Sequence, residues 1–151
     1  MSPQVSASPN PQNRDSPSVL SHQSSEVYLK LQIDPSTQAV IPMTQAQEVV
    51  VIPRERITPI PNMPPEVMGL LNQRSRVFWV IDLPRLLNLS PLEPDLNAYN
   101  LAIVRANDIP LGLVVQQIQG VIRVSETLIQ SPIGNVSPHL APYLRGCILQ
   151  P

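Results

Sequence analysis

One cysteine, Cys147, in 151 residues excludes an internal disulfide and any Cys cluster able to hold zinc. Beside Gly146 and Ile148 it reads first as a small buried apolar residue and otherwise as a reactive thiol. Aromatic residues are scarce at 3%, and the net charge is −1, so the chain has neither a set of base-stacking rings nor a basic stripe for a phosphate backbone. Both absences argue against nucleic acid as a partner. With five glycines there is no phosphate-cradling Gly-rich loop, and neither G-x-S-x-G nor H-E-x-x-H occurs. His22 and His139 are the only histidines and stand far apart, so no metal site is expected. Acidic residues are sparse; a catalytic pair converging in space stays open, but nothing marks one. No apolar run approaches the roughly 20 residues that span a bilayer. The polar stretch 1–25 has no signal-peptide core, which makes a cytoplasmic location the expectation and leaves the N-x-S triplets at Asn88 and Asn135 without meaning.

Proline, by contrast, is abundant. Its 19 copies are far above the average share of about 5%, and they exclude a long helical bundle, since an interior proline removes a backbone donor and clashes with the preceding turn. A hydrophobic share of 42% still suffices for a core, and the length fits one compact domain.

Residues 1–25, rich in Ser, Pro, Gln and Asn, hold too few apolar side chains to offset the entropy of ordering and are expected to be a disordered tail. From Glu26, the residues Val27, Leu29, Leu31 and Ile33 alternate with polar ones, the period of a half-buried strand. Asp34, Pro35, Ser36 and Thr37 supply a turn. Strands are predicted at Gln38–Met43 and Ala46–Ile52, the run Val49–Ile52 being expected to be buried on both faces. The prolines of 53–65 dictate an extended surface connection. Glu66–Asn72 and Arg76–Leu83, separated by Gln73, Arg74 and Ser75, form a hairpin with an exposed polar tip. Pro84–Leu87 opens a short helix. A loop spans Ser90–Asn97, a strand Tyr99–Arg105, and a turn Asn107–Pro110. Leu111–Val124 reads as one long strand bent or bulged at Gly120. Residues 131–142 read as loop, and Tyr143–Leu149 as a last strand. Eight or so short strands with one or two helical turns indicate an all-β barrel or sandwich.

Few side chains stand out chemically. Arg74, at a hairpin tip, either offers its guanidinium fork to a partner's carboxylate or is a solvated turn residue. Phe78 and Trp79 fall on opposite faces of their strand, so one of them faces the core and the other is available to a partner. Asp82 reads as the cap of the Pro84 turn rather than as a catalytic group.

The stretch Gly69-Leu-Leu-Asn72-Gln-Arg74-Ser-Arg-Val-Phe-Trp-Val-Ile-Asp82-Leu83 resembles the G-x-x-N-x-R-G pattern, then an apolar strand ending in I-D-L, of the CheW-like chemotaxis adaptor family. Gln47-Glu48-Val49, Gly112-Leu-Val-Val115 and Tyr143-Leu-Arg-Gly146 resemble further family segments in the family's order, so the resemblance covers about residues 26–150. It implies a CheW-like domain over 26–151, built of two packed five-stranded SH3-like β-barrels without a catalytic centre or cofactor. It implies a cytoplasmic adaptor joining a chemoreceptor-type signalling tip to a CheA-type histidine kinase, and the tail composition resembles versions serving phototaxis or type IV pili. By position, Glu48, Gly69, Asn72 and Arg74 match the receptor contacts, while Gly112 and Leu113 lie on the kinase-facing side.

The chain departs from the pattern at three places. Ser75 stands where the family has Gly, so a positive φ there would be strained. Gln116 stands where the family has Asp. The family continues about one strand and one helix past its Y-L-x-G segment, so the expected Tyr143–Leu149 strand either offers an open edge for self-association or a partner's strand, or is covered by the proline-rich loop. The rival functions are a β-barrel module binding single-stranded nucleic acid, which would need a basic aromatic groove, and a small β-barrel enzyme, which would need a pocket of perturbed carboxylates.

Overall fold

The structure, a computed structural model, describes residues 25–131 and 146–148. The expectations for residues 1–24 with His22, for 132–145 with His139, and for the Cys147 side chain lie outside the described residues.

The alternation from Glu26 does form a strand, β1 (Ser25–Asp34), which turns at Pro35 and Ser36 into β2 (Thr37–Pro42). β1 pairs antiparallel on its other side with β9 (Gln117–Ser125), giving a three-stranded sheet in the order β2-β1-β9. A second sheet of six strands has the order β3-β7-β8-β6-β5-β4. Its members are β3 (Ala46–Pro53), β4 (Ile57–Thr58), β5 (Val67–Gln73), β6 (Arg76–Asp82), β7 (Ala98–Ala106) and β8 (Ile109–Val115). β3 and β4 are consecutive in sequence, joined only by the 3₁₀ turn Arg54–Arg56, yet they occupy opposite edges of this sheet. The sheet must therefore curl on itself, as small SH3-like barrels do. A short ribbon pairs β10 (Ile129–Gln130) with β11 (Cys147–Ile148). The only α-helix among the described residues, α1 (Leu83–Leu86), is capped as its sequence predicts: the Asp82 carboxylate accepts from the Arg85 amide at 3.1 Å.

Two apolar cores follow from this topology. Ile52, Ile57, Leu71, Val80, Tyr99, Leu101 and Val114 fill the barrel interior. Leu29 and Leu31 of the three-stranded sheet pack against Ala102, Val104 and Val115 on the barrel's outer face. Strand β7 thus feeds both cores, Tyr99 and Leu101 inward and Ala102 and Val104 outward, and its weak alternation is the pattern of a strand covered on both faces.

Two details correct the sequence reading. Val49 and Val51 are 48% and 66% exposed, not buried, because β3 is an edge strand whose outer side the other sheet leaves uncovered. Leu111–Val124 is not one strand, because the chain turns a corner at Gln116, leaving β8 in the barrel and β9 in the other sheet. The expected irregularity near Gly120 is present in β9, where Gly120 opposes Lys30 and Ile118 opposes Leu31, leaving Gln119 bulged.

Candidate functional site

The hairpin β5–β6 carries the candidate site. Gln73 pairs with Arg76, so Arg74 and Ser75 alone form the loop, with φ of 54° and 63°. Positive φ at both positions matches the twist of antiparallel strands, and Asn-Gly is the usual occupant. An Arg-Ser pair has no such local preference, so the strain expected at Ser75 is present.

Contacts from elsewhere hold the tip. The Arg74 guanidinium lies 3.5 Å from Glu48 Oε2 on β3, the side chains being 77% and 23% exposed. Alternation places Glu48 on the face of β3 that also carries the buried Ile52, so the pair spans one mouth of the barrel. Its geometry is electrostatic only, for Glu48 Oε2 is shielded from solvent without a hydrogen-bond partner. Arg74 makes no hydrogen bond to any described residue, so none of these occupies its fork of donors. Arg56 Nη2 of the 3₁₀ turn donates to the Asn72 carbonyl at 2.6 Å and fixes the arm just below the tip. Arg76 lies over the Phe78 ring at 5.1 Å, on the same face.

Gly69 has another task. It sits at a register irregularity with φ of 145°, and a Cβ there would come within 2.1 Å of the Thr58 carbonyl oxygen. Its bare backbone lets β4 lie against β5, which closes the barrel under the tip. Asn72 is exposed beside Arg74, while Gly69 is buried. The structure thus joins Glu48 to Arg74 directly, with Asn72 adjacent and Gly69 as support.

Gly112 and Leu113 lie apart, in the middle of the sheet, where β8 runs parallel to β6 and antiparallel to β7. Gly112 is buried, and a Cβ on it would come within 2.8 Å of Leu101 Cδ2. Leu113 is half-buried against the inter-sheet core. Phe78 points inward and Trp79 outward, the latter half-exposed. Sequence reading missed the exposed Val49, Val51 and Val77, for an apolar run on an edge strand looks like one in the core. It also missed Arg54 and Arg56, although the signal was there: an Arg-Glu-Arg triplet after Pro53, where the chain must turn.

The described residues hold no cluster of His, Cys, Asp and Glu arranged for a metal ion, and no helix among them is long and apolar enough to cross a membrane. Against this geometry, the CheW-like domain family matches residues 28–150. The chain belongs to that family. It is 29% identical over 99 residues to the chemotaxis protein CheW of Thermotoga maritima, covering 66% of this chain and 63% of that protein. It is 32% identical over 97 residues to the chemotaxis protein CheW of Treponema pallidum, covering 62% of this chain and 57% of that one. The chain therefore spans less than two thirds of the length of these relatives. The crystal structure of the scaffolding protein TtCheW from Thermoanaerobacter tengcongensis shares the fold, with a TM-score of 0.67 at 23% identity over 76% of this chain and 75% of that one. The two-sheet arrangement with its curled barrel is thus the two-barrel SH3-like fold of CheW-like domains, as the sequence resemblance implied.

Proposed function

We propose that the chain is a non-enzymatic adaptor that couples a chemoreceptor-type or photoreceptor signalling tip to a CheA-type histidine kinase, in chemotaxis, phototaxis or pilus-motility signalling. Membership of the CheW-like family and likeness to a chemotaxis protein and a scaffolding protein support the adaptor class. The observation that carries the receptor side is Arg74: an exposed cation on a strained turn, 3.5 Å from Glu48 at one mouth of the barrel and without a hydrogen bond to any described residue. Such a group is positioned to meet an acidic side chain of the receptor tip. In this reading Glu48 and Asn72 flank the contact, and Gly69 supports it from inside. The Gly112–Leu113 segment belongs to the kinase side; because Gly112 is buried, its part is to let β7 and β8 pack closely and so shape that surface. An adaptor with two surfaces acts by raising the local concentration of one partner at the other and by biasing kinase activity with receptor state.

Mixing the full chain with a receptor signalling-tip fragment and a CheA-type kinase tests this. A ternary complex, and kinase activity that follows receptor state only when the chain is present, is the expected result. Binding to single-stranded DNA with no affinity for either protein would contradict it.

A further inference from the structure

Asp34 is the only buried polar or charged side chain among the described residues, at 4% exposure, and nothing in the receptor or kinase surfaces uses it. Its carboxylate serves two segments 56 positions apart. Oδ1 accepts from the Ser36 amide at 3.0 Å and lies 3.4 Å from the Ser36 hydroxyl, both within the β1–β2 turn. Oδ2 accepts from the Ser90 amide at 3.0 Å. Ser90 begins the proline-rich segment 90–97 that leads from α1 to β7 and lies across the junction of the two barrels like a strap.

The far end of this strap is fixed to the barrel. Arg54 Nη1 donates to the carbonyls of Pro94 at 3.2 Å and Leu96 at 3.3 Å, the Arg54 amide donates to Asn97, and Leu92 and Leu96 pack on the barrel core. The near end differs. Beneath it lies a cavity of about 140 Å³ lined by Ile33, Asp34, Ser90, Leu92, Leu96 and Gln116. Apolar packing therefore does not seal the strap to the three-stranded sheet, and the polar anchor does.

We infer that Asp34 is a positioning residue: it latches the 90–97 strap of one barrel onto the β1–β2 turn of the other and so holds the two partner surfaces in one mutual setting. The latch is independent of what the surfaces bind, while its consequence for coupling rests on the adaptor reading. The alternative is a purely local role, in which Asp34 only shapes its own turn.

Asp34→Asn separates these. An amide retains one accepting oxygen but puts an NH₂ where the second stood, so the turn and the strap can no longer both be satisfied. Ser90→Pro is the complementary variant, since it deletes the strap's donor and leaves the carboxylate and its turn intact. Hydrogen exchange on the full chain should show the amides of Leu92, Glu93 and residues 95–97 exchanging about tenfold or more faster in both variants, with β5 to β8 unchanged. Spin labels at Gln38→Cys and Asp108→Cys, in a Cys147→Ser background, should give a broadened distance distribution in both. Unchanged exchange and distances, or a uniform rise across every strand, would overturn the latch. Receptor-dependent kinase control should weaken in the same variants while each separate affinity stays within about twofold of native. Control left intact beside a loosened strap would overturn the coupling role alone, and loss of both separate affinities would mark a general folding role and overturn the positioning role.

Discussion

The barrel contains two tight turns of the same shape and opposite origin. Arg74–Ser75 joins β5 to β6 and Asn107–Asp108 joins β7 to β8, each as a two-residue loop with both φ values positive, 54° and 63° in one and 50° and 66° in the other. Asn and Asp are the non-glycine residues that accept this region most readily, so the second turn is written in its own two residues. Its one ion pair is local and loose, Arg105 to Asp108 at 3.8 Å with Asp108 94% exposed. The first turn has no such preference. It keeps its shape through Glu48 and Arg56, residues that come from β3 and the 3₁₀ turn after it. A left-handed Arg-Ser pair costs of order 1–3 kcal/mol per strained residue, and such strain persists where the surroundings over-determine it, commonly at functional sites. The difference leaves 74–75 as the turn whose conformation its own two residues do not favour.

Several substitutions probe that contrast, beginning with the support beneath the strained tip. Gly69→Ala should lower unfolding stability by roughly 3 kcal/mol or more, measured by denaturant titration, because its Cβ would meet the Thr58 backbone at 2.1 Å. Gly120→Ala, at a positive φ but with no atom within 4 Å of the new Cβ, should cost only about 1 kcal/mol.

The β1–β2 turn extends the comparison, since Asp34 also ties a turn to a distant segment. Burial alone would raise its carboxyl pKa, but hydrogen bonds from Thr37, Ser90 and Ser36 outweigh this and hold it below the ordinary value of 3.8. A carboxyl depressed in the folded state contributes stability that is present above its unfolded value and is lost as pH falls through its folded value. Asp34→Asn should therefore cost about 2 kcal/mol at neutral pH, and the gap to the native chain should shrink below the unfolded value. Urea titrations at a series of pH values measure both. A constant gap down to strong acid would contradict this.

The smallest effects compare the two turns directly. Ser75→Gly should stabilise by about 1 kcal/mol through relief of the left-handed strain, whereas Asn107→Gly should change stability by only a few tenths. Equal gains in paired thermal melts would show that both turns are locally determined.

Much of this was legible in the sequence because it is local. The β1 alternation, the existence of the β5–β6 hairpin, the Asp82 cap and the irregularity near Gly120 are each determined by neighbours in the chain, whereas the left-handed shape of the Arg74–Ser75 tip is not. What escaped was decided by partners far away. Whether Val49–Ile52 is core or edge depends on what lies over β3, and the corner at Gln116 depends on two sheets competing for one apolar run. Arg74 stood out by its place at the hairpin tip and Glu48 only through family resemblance, while their pairing was not foreseen; Asp34 read simply as a turn residue because its second partner is 56 positions away.

The central claim is that the strained tip exists to present Arg74 to a receptor. Arg74→Glu replaces the exposed pair with Glu48 by a like-charge contact at a side chain that is 77% exposed, so the melting temperature should fall by only a few degrees. Titration calorimetry of this variant against a receptor signalling-tip fragment, and separately against the CheA-type kinase, measures the claim. The receptor affinity should fall about tenfold or more while the kinase affinity is retained. Equal loss of both affinities, or undiminished receptor binding, would contradict it.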